Sequence, residues 1–327
     1  MAQGNDGKLT IAVTGATGFV GSNIAAVLQE FGHNVIGLGR RDAPEAPWQS
    51  RVVDFGSVES LTEALAGCDA VVHCAIANDF NRLLQDREYA FDSFVGMTHR
   101  VAIAANNTGA QLVYISTDWV MDGTEHLSPE TNMGNAVNFY GYLKALGEQT
   151  VRVAQPGLGA VCRIAGVMGQ HRLYDSGPRS QDVGFGYFVH ALVTDLSSGR
   201  PFTVWNGPNV NQVTSPSLAA EIGAQVERVV SLRAGGTLHL VGDDAIGRFE
   251  LAQLVCDVFG LDTELLRQGP PPESELFPAP VPVDSSLANA ATKKILGLGP
   301  TPLRTLLESF RDELATGRPT SITQPLV

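Results

Sequence analysis

Short apolar runs alternate with longer stretches of apolar residues three or four apart along the first half of the chain. Leu9–Val13, Asn34–Leu38, Arg51–Val53, Ala70–His73, Leu112–Ile115 and Ala160–Ile164 are compact, mostly β-branched and bounded by turn residues. This is the pattern of strands buried on both faces. Between them, Gly21–Phe31, Val58–Ala66, Tyr89–Asn107 and Phe139–Ala154 space their apolar residues as helices do. Strand–helix alternation on this scale predicts an α/β fold of Rossmann type, a doubly wound parallel sheet with helices on both faces.

After about residue 165 the pattern changes. Gln170–Gly186 is polar and glycine-containing and reads as a long loop, which in a compact domain is often functional. Helices are predicted at Tyr187–Leu196, Ser217–Val230, Arg248–Phe259 and Pro302–Ala315. Gly269–Val283 carries six prolines and is expected to be extended or irregular, because each ring removes a backbone donor. Residues 8–165, with segments returning later in the chain, are expected to form the sheet domain. Residues 166–316 form mainly a smaller α/β lobe over its carboxyl edge, and 317–327 a frayed tail.

The first strand runs into Thr14-Gly15-Ala16-Thr17-Gly18-Phe19-Val20-Gly21 and then into a helical pattern. Gly15 permits the tight turn, Gly18 lets backbone approach a pyrophosphate, and Gly21 lets helix and strand pack closely. Together with the positive end of the helix they make a dinucleotide cradle, with Thr17, Phe19 and Val20 on its rim. Where an NAD-binding sheet offers an acid after its second strand, this chain has Arg40 and Arg41. Two guanidinium groups suit a 2′-phosphate, so the expected cofactor is NADP(H). Asp54 and Phe55, after the third strand, are candidates to meet the adenine.

Tyr140 and Lys144 stand four apart on one predicted helix and so share a face. A phenol is a poor acid at neutral pH, and a neighbouring ammonium is expected to lower its pKa. Thr117, at the end of the fifth strand, is placed to point its hydroxyl into the same cleft. Trp119, Gly166 and Phe185 are candidate substrate contacts, with the 170–186 loop closing the pocket. His171 and Arg172 are candidates to face a phosphate or carboxylate there, and His73 reads as a core histidine.

Composition narrows the picture. With 22 Lys+Arg against 34 Asp+Glu in 327 residues, the net charge of −12 argues against a protein that works by covering nucleic-acid phosphates. No apolar run reaches membrane-spanning length, and Met1–Lys8 is too polar for a signal peptide. Cys68, Cys74, Cys162 and Cys256 are scattered, without disulfide or metal spacing. No metal is expected, and a reducing compartment, the cytoplasm, is.

These motifs identify a resemblance. TGATGFVG (14–21), GRR (39–41), VVHCA (71–75), ISTDWVMDG (115–123), NFYGYLKALGE (138–148) and CRIAGVMG (162–169) resemble the extended short-chain dehydrogenases, most closely the dTDP-4-dehydrorhamnose reductase-like branch. So do NQVTSPSLAAEI (211–222) and LHLVGDDAIGRFELAQLV (238–255). The resemblance implies an NADPH-dependent reductase. Tyr140 would give a proton to the carbonyl oxygen, and Thr117 would hydrogen-bond that oxygen. Lys144 would tune Tyr140 and hold the nicotinamide ribose. It also implies cofactor contacts at Cys74, Ala75, Ile76 and Ile164.

Two departures stand out: Ser93 where many relatives carry Asn, and the longer 170–186 loop. They leave the small-molecule carbonyl substrate open between a 4-keto nucleotide sugar and another ketone of secondary metabolism. The branch also holds the regulatory beta subunit of methionine adenosyltransferase, so a non-catalytic NADP-binding role is one alternative. A nucleotide-sugar epimerase or dehydratase is the other; Arg40, Arg41 and the Thr117-Asp118-Trp119 sequence, without an Asp-Glu pair, count against it. A homodimer is left open.

Overall fold

The structure, a computed structural model, describes residues 7–77, 80–174 and 180–326. At its centre lies a seven-stranded parallel sheet. Six strands are those the pattern predicts, shifted by a residue or two: β1 (Thr10–Thr14), β2 (Asn34–Gly39), β3 (Gln49–Val52), β4 (Ala70–His73), β5 (Gln111–Thr117) and β6 (Ala160–Ile164). The seventh, Gly236–His239, comes from the second half and pairs with β6, Leu238 opposite Cys162. Of its four residues only Leu238 is apolar, so no apolar run marks it in the sequence. The order is Gly236–His239, β6, β5, β4, β1, β2, β3, so strand order reverses beside β1 and leaves a crevice at its carboxyl end.

Helices cover both faces: α1 (Phe19–Glu30), α2 (Val58–Leu65), short α3 (Phe80–Gln85) and α4 (Arg87–Phe91), α5 (Met97–Thr108) and α6 (Phe139–Ala154). Later come α7 (Phe188–Ser197), α8 (Ala219–Ser231), α9 (Arg248–Phe259), α10 (Ala290–Leu296) and α11 (Leu303–Thr316). Successive side chains of a strand point to opposite faces. Ile11 and Val13 therefore pack with Ile24 and Leu28 of α1 and Ile222 and Val226 of α8. Ala12 instead joins Leu61 of α2, Val101 of α5 and Val151 of α6. A separate core, with Phe188, Leu192, Leu251, Leu306 and Phe310, holds α7, α9 and α11 together.

Three expectations are corrected. The helix expected over Tyr89–Asn107 is interrupted by a π-helical turn, Asp92–Gly96, between α4 and α5. The helix expected from Ser217 starts at Ala219, because Ser217–Leu218 pairs with Val167–Met168. The tail is not frayed. Glu221 accepts from Ile322 N, Thr323 N and Thr323 Oγ1, and Glu227 from Leu326 N, which fastens the tail to α8. Within the long loop, residues 175–179 lie outside the described residues. The proline-rich segment is irregular as expected, with one 3₁₀ turn at Glu273–Glu275.

Candidate active site

The glycine turn leaves β1 and enters α1 at the sheet's crevice. Gly15 has φ of +68°, and a Cβ there would lie 2.9 Å from Ala75 Cα. A Cβ on Gly21 would come within 2.2 Å of Gly15 O. The turn therefore fits only with bare backbone at both positions. Gly18 caps α1 without offering a side-chain acceptor, so the first N–H groups of the helix face the crevice and suit an anion. Thr14 braces the turn: its hydroxyl accepts from Ala75 N and lies 2.7 Å from His73 Nδ1. His73 Nε2 is 3.2 Å from Thr98 Oγ1; burial first and Lys144 second push the ring's pKa down to about 3. This is a satisfied, neutral core histidine. Gly21→Ala is expected to destabilise the protein by about 1–3 kcal/mol through overpacking, and to weaken dinucleotide binding. Urea melts and a cofactor titration check both.

Arg40 and Arg41 follow β2 and are exposed, with no ion pair among the described residues. Asp54 is exposed and Phe55 half-buried after β3; Asp54 Oδ1 accepts from Gly56 N. Thr17 is exposed, and Phe19 and Val20 are half-buried at the start of α1. Cys74, Ala75 and Ile76 follow β4 beside the turn, while Ile164 ends β6. The Cys74 thiol is pushed up to about 12 by burial, against the pull of Lys144, so it is no thiolate. These positions all lie at or just after the carboxyl ends of β1, β2, β3, β4 and β6.

Tyr140 and Lys144 project from α6, whose first turn is capped by Asn138 accepting from Gly141 N at 2.9 Å. Gly141 lets the helix lie against the chain after β5, for a Cβ there would come within 2.0 Å of Trp119 O. The Tyr140 ring sits edge-on between Trp119 (centroids 6.1 Å apart) and Phe94 of the π-helical turn (5.9 Å). Its hydroxyl shares a hydrogen bond with Thr117. Thr117 Oγ1 in turn donates to Asp118 Oδ1 at 3.0 Å. Lys144 is buried, donates to Ile115 O at 2.6 Å and stands 4.1 Å from the centre of the Tyr114 ring.

The electrostatics correct one expectation. Tyr140 is not lowered by its lysine: burial and the adjacent Asp118 push it up to about 12, and the Thr117 bond offsets only part of this. Desolvation and the acid beside the phenol both disfavour the phenolate. Lys144 itself is pushed down to about 7 by burial, although Glu148 and Cys74 pull it up. Glu148, one turn on along α6, accepts from Ser116 Oγ, from Arg152, and from Nε and one Nη of Arg163. Burial pushes that carboxyl up, but the Arg163 bonds and charge outweigh it and hold it below the usual range.

The candidate substrate contacts do not all converge. Trp119 packs against Tyr140 and Phe277, and a Cβ on Gly184 would lie 3.0 Å from its ring, so it walls the cleft. Gly166 has φ of +48° and fits against Thr214 and Pro216, which makes its role the turn after β6. Phe185 is buried in the core shared by α7, α9 and α11, with Phe188 at 5.7 Å and the Arg248 guanidinium 4.5 Å from its centroid. Arg172 is engaged within the protein: its Nε donates to Asn23 Oδ1 and its guanidinium pairs with Glu313. Asp118 went unselected in the sequence, where an acid in the apolar run after Thr117 was the available signal. Ser285, which donates to its other oxygen at 2.5 Å, left no local signal. Among the described residues, no helix is long and apolar enough to cross a membrane, and no cluster of His, Cys, Asp and Glu could hold a metal ion.

A dinucleotide-type crevice with a Thr–Tyr–Lys set beyond the carboxyl ends of the strands defines the class: an extended short-chain dehydrogenase/reductase fold. More particularly, the chain belongs to the family described as RmlD substrate binding domain, whose pattern matches residues 9–316. It is 27% identical to the methionine adenosyltransferase 2 subunit beta of Mus musculus over 90% of this chain and 85% of that one. It is also 27% identical to the dTDP-4-dehydrorhamnose reductase of Mycolicibacterium smegmatis, over 93% and 85%. A solved dTDP-4-dehydrorhamnose reductase from Bacillus anthracis, in complex with NADP, superposes with a TM-score of 0.76 at 20% identity, over 94% and 99%.

Proposed function

We propose that this protein is an NADPH-dependent reductase of a ketone, with a 4-keto nucleotide sugar as the leading substrate class. The observation that carries the reading is the Tyr140–Thr117 hydrogen bond beside buried Lys144, at the crevice that Gly15, Gly18 and the start of α1 build. The donor set fits the cofactor: bare backbone at the turn suits a pyrophosphate, Arg40 and Arg41 a 2′-phosphate, and Lys144 a ribose. When bound, NADPH supplies the hydride. Tyr140 stays protonated through the neutral range and acts as proton donor to the substrate oxygen. Thr117 fixes the direction of its hydroxyl. Trp119 walls the cleft and, with the loop around Gly184, excludes water from it.

The test follows absorbance at 340 nm while the protein is given NADPH with dTDP-4-keto-6-deoxy-D-glucose or with 9,10-phenanthrenequinone. Turnover of either supports a reductase; turnover of neither overturns it. The whole-length likeness to the methionine adenosyltransferase beta subunit favours a second reading, a regulatory NADP-binding subunit. That reading requires cofactor binding without turnover, and capture of a catalytic partner.

Cofactor choice is a separate prediction. NADPH is expected to bind about tenfold or more tightly than NADH, a difference of about 1.4 kcal/mol, and Arg40→Ala is expected to erase most of it. Titration of both cofactors by fluorescence checks this, and equal affinities in the unmodified protein would refute it.

A further inference from the structure

Asp118 is buried, at 7% exposed, and among the described residues no lysine, arginine or histidine makes an ion pair with it. What faces it is neutral: Thr117 Oγ1 at 3.0 Å from the end of β5, Ser285 Oγ at 2.5 Å from the proline-rich side, and the backbone N–H of Trp119. From α6 comes Tyr140, the other titratable group bearing on it. The His126–Asp284 pair lies next to Ser285 in sequence, with His126 exposed. Ser285 is itself held by Asn211 Nδ2 at 2.9 Å. A carboxylate buried without a cation is costly and takes up a proton instead. Thr117 Oγ1 stands between the two groups: its single proton points to Oδ1 when Asp118 is ionised, and when Asp118 is protonated the carboxyl donates to Oγ1 and the Thr117 proton turns to Tyr140.

We propose that Asp118 stores the proton that restores Tyr140 after each reduction, passing it through the Thr117 hydroxyl. The proposal rests on the reductase reading. In the forward step the carbonyl carbon gains hydride from NADPH, and the carbonyl oxygen takes the proton of Tyr140. The phenolate oxygen takes the hydroxyl proton of Thr117, and Thr117 takes the carboxyl proton of Asp118. The resulting carboxylate regains its proton from water. Asp118 touches neither substrate nor cofactor in this scheme; it is a positioning and relay residue behind Tyr140. Burial, partly offset by the Ser285 and Thr117 bonds, pushes its pKa up to about 6. The store is therefore filled in mildly acidic solution and emptied as pH rises.

The test compares wild type with Asp118→Asn, which keeps the size and one accepting oxygen, puts an amide donor where the other oxygen accepted, and carries no acid proton. With NADPH and dTDP-4-keto-6-deoxy-D-glucose or 9,10-phenanthrenequinone, wild-type kcat is expected to fall as pH rises through about 6. Asp118→Asn should lose that limb: about tenfold slower than wild type at acid pH, and close to it at alkaline pH. A merely structural role would lower the rate equally at every pH. A second readout needs no turnover. A carboxyl whose folded pKa is raised stabilises the fold when protonated, so Tm of wild type relative to Asp118→Asn should decline as pH rises from about 4 to about 6 and be level above. An active wild type whose pH profile the substitution leaves unchanged, or Tm curves that run parallel, overturns the relay alone. A wild type that reduces neither probe removes the reductase reading and the relay with it.

Discussion

Tyr140→Phe is expected to lower kcat by about 10²–10⁴-fold, the range a positioned general acid contributes, with NADPH affinity unchanged. The ring keeps its edge-on contacts with Trp119 and Phe94, so only the hydroxyl and its bond to Thr117 are lost. Single-turnover kinetics alongside a cofactor titration separate the two quantities. Near-normal turnover would refute the assignment. Lys144→Ala is expected to damage both rate and affinity, since its ammonium lies at the crevice and bonds to Ile115 O. Lys144 is the group of this pair that changes charge near neutrality, at about 7 against about 12 for Tyr140. The rate is therefore expected to fall on the alkaline side as the lysine loses its proton, while the phenol remains an acid.

The largest effect on stability is expected behind the site. Arg163 and Glu148 are both fully buried, and the guanidinium meets the carboxylate through Nε at 2.8 Å and an Nη at 2.7 Å. Arg163→Met leaves Glu148 with only Arg152 and Ser116, and breaking a buried pair in this way costs about 3–5 kcal/mol. Replacing both partners, Arg163→Met with Glu148→Leu, should cost less than the single change. The pH dependence follows from the depressed carboxyl of Glu148. A carboxylate held below its unfolded pKa contributes stability above that unfolded value and loses it as pH falls through the folded one. The gap between wild type and Arg163→Met should therefore be widest at neutral pH and narrow in acid. Urea melts at several pH values measure it, and a constant gap would mean that the pair is not what holds this region.

The sequence by itself determined the six strands of the first half, the helix that carries Tyr140 and Lys144, and the glycine turn. Each of these is local: a buried parallel strand needs a short apolar run, a helix a period, and the turn a missing Cβ at Gly15 and Gly21. Phe139–Ala154 matches its predicted bounds for that reason. What only tertiary structure decided is what meets what across the chain. The strand Gly236–His239 joins the sheet because β6 has an open edge, and the tail is ordered because Glu221 and Glu227 accept its N–H and hydroxyl groups. Phe185 is core because its ring meets Phe188, the first residue of α7. The protonation of the site belongs here too. The pattern places Tyr140 near Lys144, but burial and Asp118 set the tyrosine's pKa. Asp118 in turn takes its character from Ser285, 167 residues further along the chain. Desolvation depends on everything packed around a group, and no window of sequence contains that.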